Sequence, residues 1–165
     1  MKNSIKRIFV FIVILANIGC DQVSKNIVQK KVIPGDYIHV LGDNIILTNV
    51  ENTGAALGLG QNLPPILKLI FLNLMPCLIL FFMTYYLLKN KVKNRWATIA
   101  LSFIIGGGFG NLTDRFLYGS VTDFLHIKLG FFETGIFNLA DVSVTIGALF
   151  LIYLNIFKKK EIFIK

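Results

Sequence analysis

Two stretches decide the fold: residues 96–116, WATIALSFIIGGGFGNLTDRF, and residues 137–157, FNLADVSVTIGALFLIYLNIF. Each is long enough for a membrane helix, which needs about 20 mostly apolar residues. Each also carries an aspartate in a near-matching context, Asn111-Leu112-Thr113-Asp114 and Asn138-Leu139-Ala140-Asp141. A third acid, Asp123, lies between them. A carboxylate at the edge of hydrocarbon is costly and is retained with a partner or a task, so these acids mark an intramembrane functional site. Carboxylic acids without a metal suggest acid/base chemistry on a membrane-embedded substrate.

Working outward, two more segments qualify, one from Ile5 to Cys20 that extends through Asp21 to Gln29, the other from Ile66 to Leu88. The expected spans are therefore about 5–28, 66–88, 96–116 and 137–157, in one four-span domain covering the 165 residues. Composition agrees, with 55% hydrophobic residues, 13% aromatic and only 16% charged, as in an integral membrane protein. The net charge of +8 is explained by topology. Lys2, Lys6 and Arg7 precede the first span, Lys89, Lys91, Lys93 and Arg95 fill the loop after the second, and Lys158, Lys159, Lys160 and Lys165 follow the fourth. With four spans all three clusters fall on one side, the cytoplasm by the positive-inside rule, with both termini there. Trp96, Tyr85, Tyr86 and Tyr153 lie near the same ends as interface anchors. Every acid except Glu161 then falls on or near the outer side. Juxtamembrane basic residues with no groove-reading motif exclude nucleic acid as a partner.

The run from Met1 to Cys20 imitates a secretory signal and ends in Gly19-Cys20, as a lipoprotein signal does. Asn17 stands where such a site wants an aliphatic residue, and Asp21 and Lys25 continue on an i,i+4 spacing that can pair, so it is read as an uncleaved span. Cys20, at a helix end, and Cys77, mid-span, are read as packing residues rather than a disulfide.

Between the first two spans, about 31–65, the chain changes character. Residues Val32 to Tyr37 and Ile45 to Val50 read as short strands broken by Pro34-Gly35 and Gly42-Asp43-Asn44, a small sheet on the outer surface. It ends in Asn52-Thr53-Gly54-Ala55-Ala56, which is either a plain turn or a place where backbone approaches a ligand. Residues 117–136 are read as an outer loop. At about 1.5 Å per residue, Asp114 counted from Trp96 and Asp141 counted back from Lys158 both lie roughly 25–27 Å from the basic face, at one depth. Asn111 and Asn138 each precede their aspartate by three residues, on the same helix face. The Gly106 to Gly110 spacing lets the third helix pack closely on a neighbour.

Other chemistries are excluded by inventory. There is no His-Glu-x-x-His zinc motif, no Gly-x-Ser-x-Gly elbow and no phosphate-binding Gly-x-x-x-x-Gly-Lys. His39 and His126 have no matched cysteine or second imidazole, so neither a metal nor another cofactor is expected.

Five blocks, Asp21-Gln22-x-x-Lys25, Asn52-Thr53-Gly54-Ala55-Ala56, Gly106-Gly107-x-x-Gly110-Asn111-x-x-Asp114-Arg115, Val121-Thr122-Asp123-Phe124 and Phe137-Asn138-x-Ala140-Asp141, resemble in order the signature blocks of the lipoprotein signal peptidases (signal peptidase II). The resemblance covers essentially the whole chain. Leu57 departs from it where the family usually carries an aromatic, and Thr122 where a valine is common. It implies a bacterial cell-membrane aspartic peptidase that removes the signal peptide from prolipoproteins whose cysteine bears diacylglyceryl. It also implies membrane lipid as a partner and globomycin-type compounds as inhibitors. The family's catalytic dyad maps onto Asp123 and Asp141, with Asp114, Arg115 and Ala140 at supporting positions.

From spacing alone Asp114 pairs with Asp141, because their contexts match. Asp114 has Arg115 as neighbour and a structural role open to it as a salt-bridged or helix-end carboxylate, whereas Asp123 has no cation nearby in sequence, and an unpaired acid near lipid suits a raised pKa. Asn52, Gly54, Asn111, Arg115 and Asn138 are candidates for holding the substrate backbone, and Asp21 and Lys25 for supporting the bundle. The alternative from another class is a small transporter or ion-translocating subunit whose acids relay protons. Relay acids should be spread through membrane depth.

Overall fold

The computed structural model describes residues 3–89, 91–92 and 94–158. Lys2, Lys93, Lys159, Lys160, Glu161 and Lys165 lie outside the described residues. Among the described residues, four helices are long and apolar enough to cross a membrane: Ser4–Lys31, Pro65–Leu88, Arg95–Tyr118 and Leu139–Phe157. Four antiparallel strands, β1 (Ile38–Leu41), β2 (Ile45–Asn52), β3 (Val121–Leu129) and β4 (Phe132–Glu133), form one sheet in the order β1-β2-β3-β4.

The third helix is the hub, more than half buried where the second is scarcely buried at all. Between apolar helices in lipid no water is expelled, so packing geometry decides the association. Its glycines supply that geometry. A Cβ at Gly106 would stand 2.7 Å from Asn17 Cβ of the first helix, one at Gly110 2.8 Å from Asp21 Oδ2, and one at Gly107 would strike the Ala140 carbonyl of the fourth. The small-residue spacing therefore serves two neighbours at once. The helix starts at Asn94, whose Oδ1 accepts from the Trp96 and Ala97 amides at 2.9 and 3.4 Å. It stops at Gly119, left-handed at φ 76.

In the second helix Pro76 cannot donate, and its ring crowds the Leu72 carbonyl. The turns just before it widen into π-helical geometry over Leu69–Leu74.

The basic groups converge at one end. Lys6 Nζ donates to the Val92 carbonyl, and Arg7 Nε to the Leu88 carbonyl at 3.1 Å. The start of the first helix is thereby tied to the loop carrying Lys89, Lys91 and Arg95. A core of Val10, Leu87, Val92, Ala97, Leu101 and Leu154 fills this end, and a smaller one of Val28, Val32 and Phe124 joins the other end to the sheet.

Three local readings are corrected. Residues 32–37 are not a strand: the first helix runs to Lys31, Gly35 turns the chain at φ +87, and Asn49 Nδ2 caps the Val32 carbonyl at 3.0 Å. The segment 117–136 is not a loop but holds β3, a central strand of the sheet. Cys20 is not at a helix end; it is exposed in the middle of the first helix.

Candidate functional site

Asn138 precedes the fourth helix and Asp141 sits in its first turn. They exchange hydrogen bonds: the Asp141 amide donates to Asn138 Oδ1 at 3.0 Å, and the Asn138 amide to Asp141 Oδ2 at 3.2 Å. This is a capping box built from Asn and Asp, which satisfies two orphan donors and fixes the Asp141 rotamer. The matching tetrapeptide does something else. Asn111 and Asp114 lie inside the third helix, where backbone donors are already satisfied, and their side chains turn to other helices.

Asn138 has a second task, because its Nδ2 donates to Asp123 Oδ1 at 2.6 Å. The other Asp123 oxygen accepts from Asn52 Nδ2 at 2.9 Å. Asn52 is itself held in place, donating to the Ala55 carbonyl at 3.0 Å and accepting from the Gly54 amide at 2.9 Å. Asn111 Nδ2 donates to Asp141 Oδ1 at 2.8 Å. Asp123 and Asp141 line one cleft with Ala56, Leu57, Gly135, Phe137 and Val144, a largely apolar recess. Burial of Asp123 on β3 pushes its carboxyl up to about 6; the Asn52 amide opposes the shift, nearby Asp141 adds to it, and Asn138 and Lys25 oppose it.

Asp114 is elsewhere. Lys25 Nζ reaches Asp21 Oδ2 at 2.7 Å, Asp114 Oδ2 at 2.8 Å and Asn111 Oδ1 at 2.9 Å, so all three ammonium protons are used. Asp21 Oδ1 accepts from the Ala140 amide at 2.9 Å, and Gln22 Nε2 donates to Asp114 Oδ1 at 2.7 Å. Asp21 and Asp114 are 0% and 2% exposed, which such charges tolerate when paired and hydrogen-bonded.

Three expectations change here. The pairing of Asp114 with Asp141 from matching contexts gives way to Asp123 and Asp141 in one cleft. The cation on Asp114 is Lys25, not Arg115, since successive helix residues point about 100° apart. Arg115 instead donates from Nη2 to the Gly54 carbonyl at 2.9 Å, close enough to feel Asp141 and Asp123. Finally, Asn52, Asn111 and Asn138 already spend their amides on the two carboxylates.

Sequence reasoning missed the polar tie between the first helix and the sheet. Gln29 Nε2 donates to Thr122 Oγ1 at 2.7 Å, Thr122 Oγ1 to Glu51 Oε1 at 2.9 Å, and Ser120 Oγ to Glu51 Oε2 at 2.6 Å. The hydroxyl of Thr122, where valine is common in the resembling family, is thus fully partnered. The signal was the i,i+4 spacing of Asp21, Lys25 and Gln29, which puts the three on one face of the first helix. Leu57, a departure from the resembling family's pattern, has a left-handed backbone at φ 57, a strained state for leucine, on the rim of the cleft facing Gly135. Among the described residues, no three His, Cys, Asp or Glu side chains converge to hold a metal ion.

Apolar spans around a buried cluster of carboxylates define a multi-pass membrane enzyme, and solved structures agree. A bacterial membrane enzyme superposes with a TM-score of 0.80 at 30% identity, covering 95% of this chain and 94% of its own. A second gives 0.77 at 29% identity, over 90% and 93%. The family model for signal peptidase (SPase) II matches residues 13–157, so this chain belongs to that family and is a protease. The lipoprotein signal peptidase of Borrelia turicatae is 40% identical over 93% of this chain and 91% of that protein. That of Syntrophus aciditrophicus is 32% identical over 86% and 88%, and that of Staphylococcus aureus strain JH9 33% over 88% and 83%.

Proposed function

We propose that this chain is an aspartic endopeptidase of the bacterial inner membrane, a single four-span domain that cuts diacylglyceryl-modified prolipoproteins just before the lipidated cysteine. Both termini are cytoplasmic, and the sheet and cleft lie at the extracytoplasmic face. The observation that carries this reading is the pair Asp123 and Asp141, bridged by Asn138 in one largely apolar cleft. The relay alternative is not favoured, because all the partnered aspartates of the bundle gather at one end.

Two neighbouring carboxyls do not both ionise readily, so one keeps a proton. Asp123, with its carboxyl raised to about 6, is the acid that polarises the scissile carbonyl. Asp141 is the base that takes a proton from the attacking water, held by Asn111, Asn138 and the amide end of its helix. Arg115 fixes the Gly54 carbonyl at the lip of the site and adds positive potential for the developing oxyanion. The substrate's acyl chains lie along the lipid-facing helices beside the cleft, and globomycin-type inhibitors fill the same recess.

The test is release of the signal peptide from a lipidated prolipoprotein by purified protein in lipid, followed by gel shift. Asp123→Asn and Asp141→Asn should each abolish release while leaving the protein folded, since an amide is neither base nor exchangeable acid. Full turnover by either variant removes that residue from the mechanism. Activity should persist in EDTA; loss restored by zinc would move the chemistry to a metal.

A further inference from the structure

Another apolar recess lies at the basic end of the bundle, away from Asp123 and Asp141. Phe82, Met83 and Tyr86 of the second helix, Val92 of the loop and Leu101 of the third helix line a groove of about 320 Å³. Val92 and Leu101 belong to the buried core and form its floor, whereas Phe82 and Tyr86 are exposed and form its lip. At about 1.5 Å per residue, Phe82 and Leu101 lie roughly 9 Å from the helix ends at Leu88 and Arg95. Basic residues at helix ends mark the headgroup level of a bilayer. The groove therefore runs from that level down beside the upper acyl chains.

Cations surround its mouth. Lys6 Nζ donates to the carbonyl of Val92 itself, and Arg7 Nε to the Leu88 carbonyl at 3.1 Å. The Lys91 amide bonds the carbonyl of groove-lining Tyr86 at 3.3 Å, which sets Lys91 beside the groove. Lys89 and Arg95 lie over the Tyr85 and Trp96 rings. Among the described residues none of these five cations forms a salt bridge, and the acids that do form one stand toward the sheet end. Clustered like charges repel, so this end favours an anion from outside the protein.

An apolar groove under uncompensated cations fits an amphiphile with an anionic head. A signal peptide begins with positive charge and would be repelled here. A second copy meeting this end with its own would bring the same cations together. We propose that the groove binds an anionic glycerophospholipid of the adjoining leaflet, its phosphate among Lys6, Lys89 and Lys91 and one acyl chain along Phe82, Met83 and Leu101. The lipid thereby fills the seam between the third helix and the second, which the protein itself scarcely covers.

Phe81 and Phe82 are both exposed on the second helix and point about 100° apart, and only Phe82 lines the groove. The chain has 1 tryptophan, Trp96, so Phe82→Trp and Phe81→Trp in a Trp96→Phe background report on the groove and on ordinary lipid contact at the same depth. The full-length protein goes into phosphatidylcholine nanodiscs containing brominated phosphatidylglycerol or brominated phosphatidylcholine. Signal-peptide release shows that each variant is folded. Brominated phosphatidylglycerol should quench the Phe82→Trp protein at a mole fraction at least about fivefold lower than brominated phosphatidylcholine, the worth of one cation at a membrane surface. The Phe81→Trp protein should respond to the two lipids nearly alike. Adding Lys89→Gln and Lys91→Gln to the Phe82→Trp protein should remove the preference. Equal quenching of the Phe82→Trp protein by both lipids overturns the proposal, as does a preference that survives loss of both lysines. An equal preference at both positions would make the attraction diffuse, and emission that neither lipid quenches would mean that protein covers the groove. Either result also overturns it.

Discussion

The Asn138 side-chain amide lies 2.6 Å from Asp123 Oδ1, so the residue that caps the fourth helix also holds a carboxylate on the neighbouring sheet. One asparagine thereby sets the relative position of two acids from different elements.

These two tasks separate by substitution. Asn138→Ser keeps an oxygen for the cap but is too short to donate to Asp123, whereas Asn138→Ala loses both. Thermal unfolding should show the alanine variant destabilised by about 1 kcal/mol and the serine variant by a few tenths. If Asp123 is catalytic, signal-peptide release should fall at least about tenfold in both, because a misplacement of about 1 Å in a reacting group costs that much or more. Wild-type turnover by Asn138→Ser would show the bridge to Asp123 to be idle.

Asp123 gives a signed pH dependence. Its carboxyl is raised to about 6, so the folded chain holds a proton that the unfolded chain releases near pH 3.9. Stability from this group is fully present below the unfolded value and declines as pH rises through about 6. If Asp123 is the acid, kcat/KM should fall over the same range on its alkaline limb. Asn52→Ala removes a donor that favours the carboxylate, so the limb should move to higher pH even as the rate drops. A limb that stays put or moves down in that variant would take the proton off Asp123.

The Lys25 knot should behave as structure. Lys25→Met leaves Asp21 and Asp114 buried without their cation, which costs about 3–5 kcal/mol. Asp114→Asn should lower thermal stability or protein level at least as much as the turnover of the surviving folded enzyme. An Asp114→Asn protein of normal stability and no turnover would return Asp114 to the reaction.

How much of this was legible follows from what each signal depends on. The four helices were, because a membrane span is a local property of composition and length. Strand β3 was not, although Leu125, Ile127 and Leu129 alternate with His126 and Lys128. Its first half, Val121 to Phe124, is buried throughout and shows no period. The two Asn-x-x-Asp tetrapeptides misled spacing because their difference is positional: one falls at a helix start, where amides need acceptors, and the other inside a helix, where they do not. Lys25 finds Asn111 86 residues away, and the Ala140 amide finds Asp21 119 residues away, so no local pattern encodes these contacts. The family resemblance brought Asp123 and Asp141 together where spacing did not.

Orientation rests on the basic clusters, and it bears on function directly. The tie of Lys6 and Arg7 to the loop after the second helix sets two of the three clusters at one end of the bundle, away from the sheet. In the orientation proposed from the positive-inside rule, that end lies in the cytoplasm. Reporter fusions after Lys93 and after Lys160 should therefore read as cytoplasmic, and one after Asn44, in the turn between β1 and β2, as external. A lipidated prolipoprotein presents its cleavage site on the external side of the membrane, so the cleft must open there. An Asn44 fusion that reads as cytoplasmic would put Asp123 and Asp141 on the wrong side for that substrate and end the proposed function, whatever the chemistry of the pair.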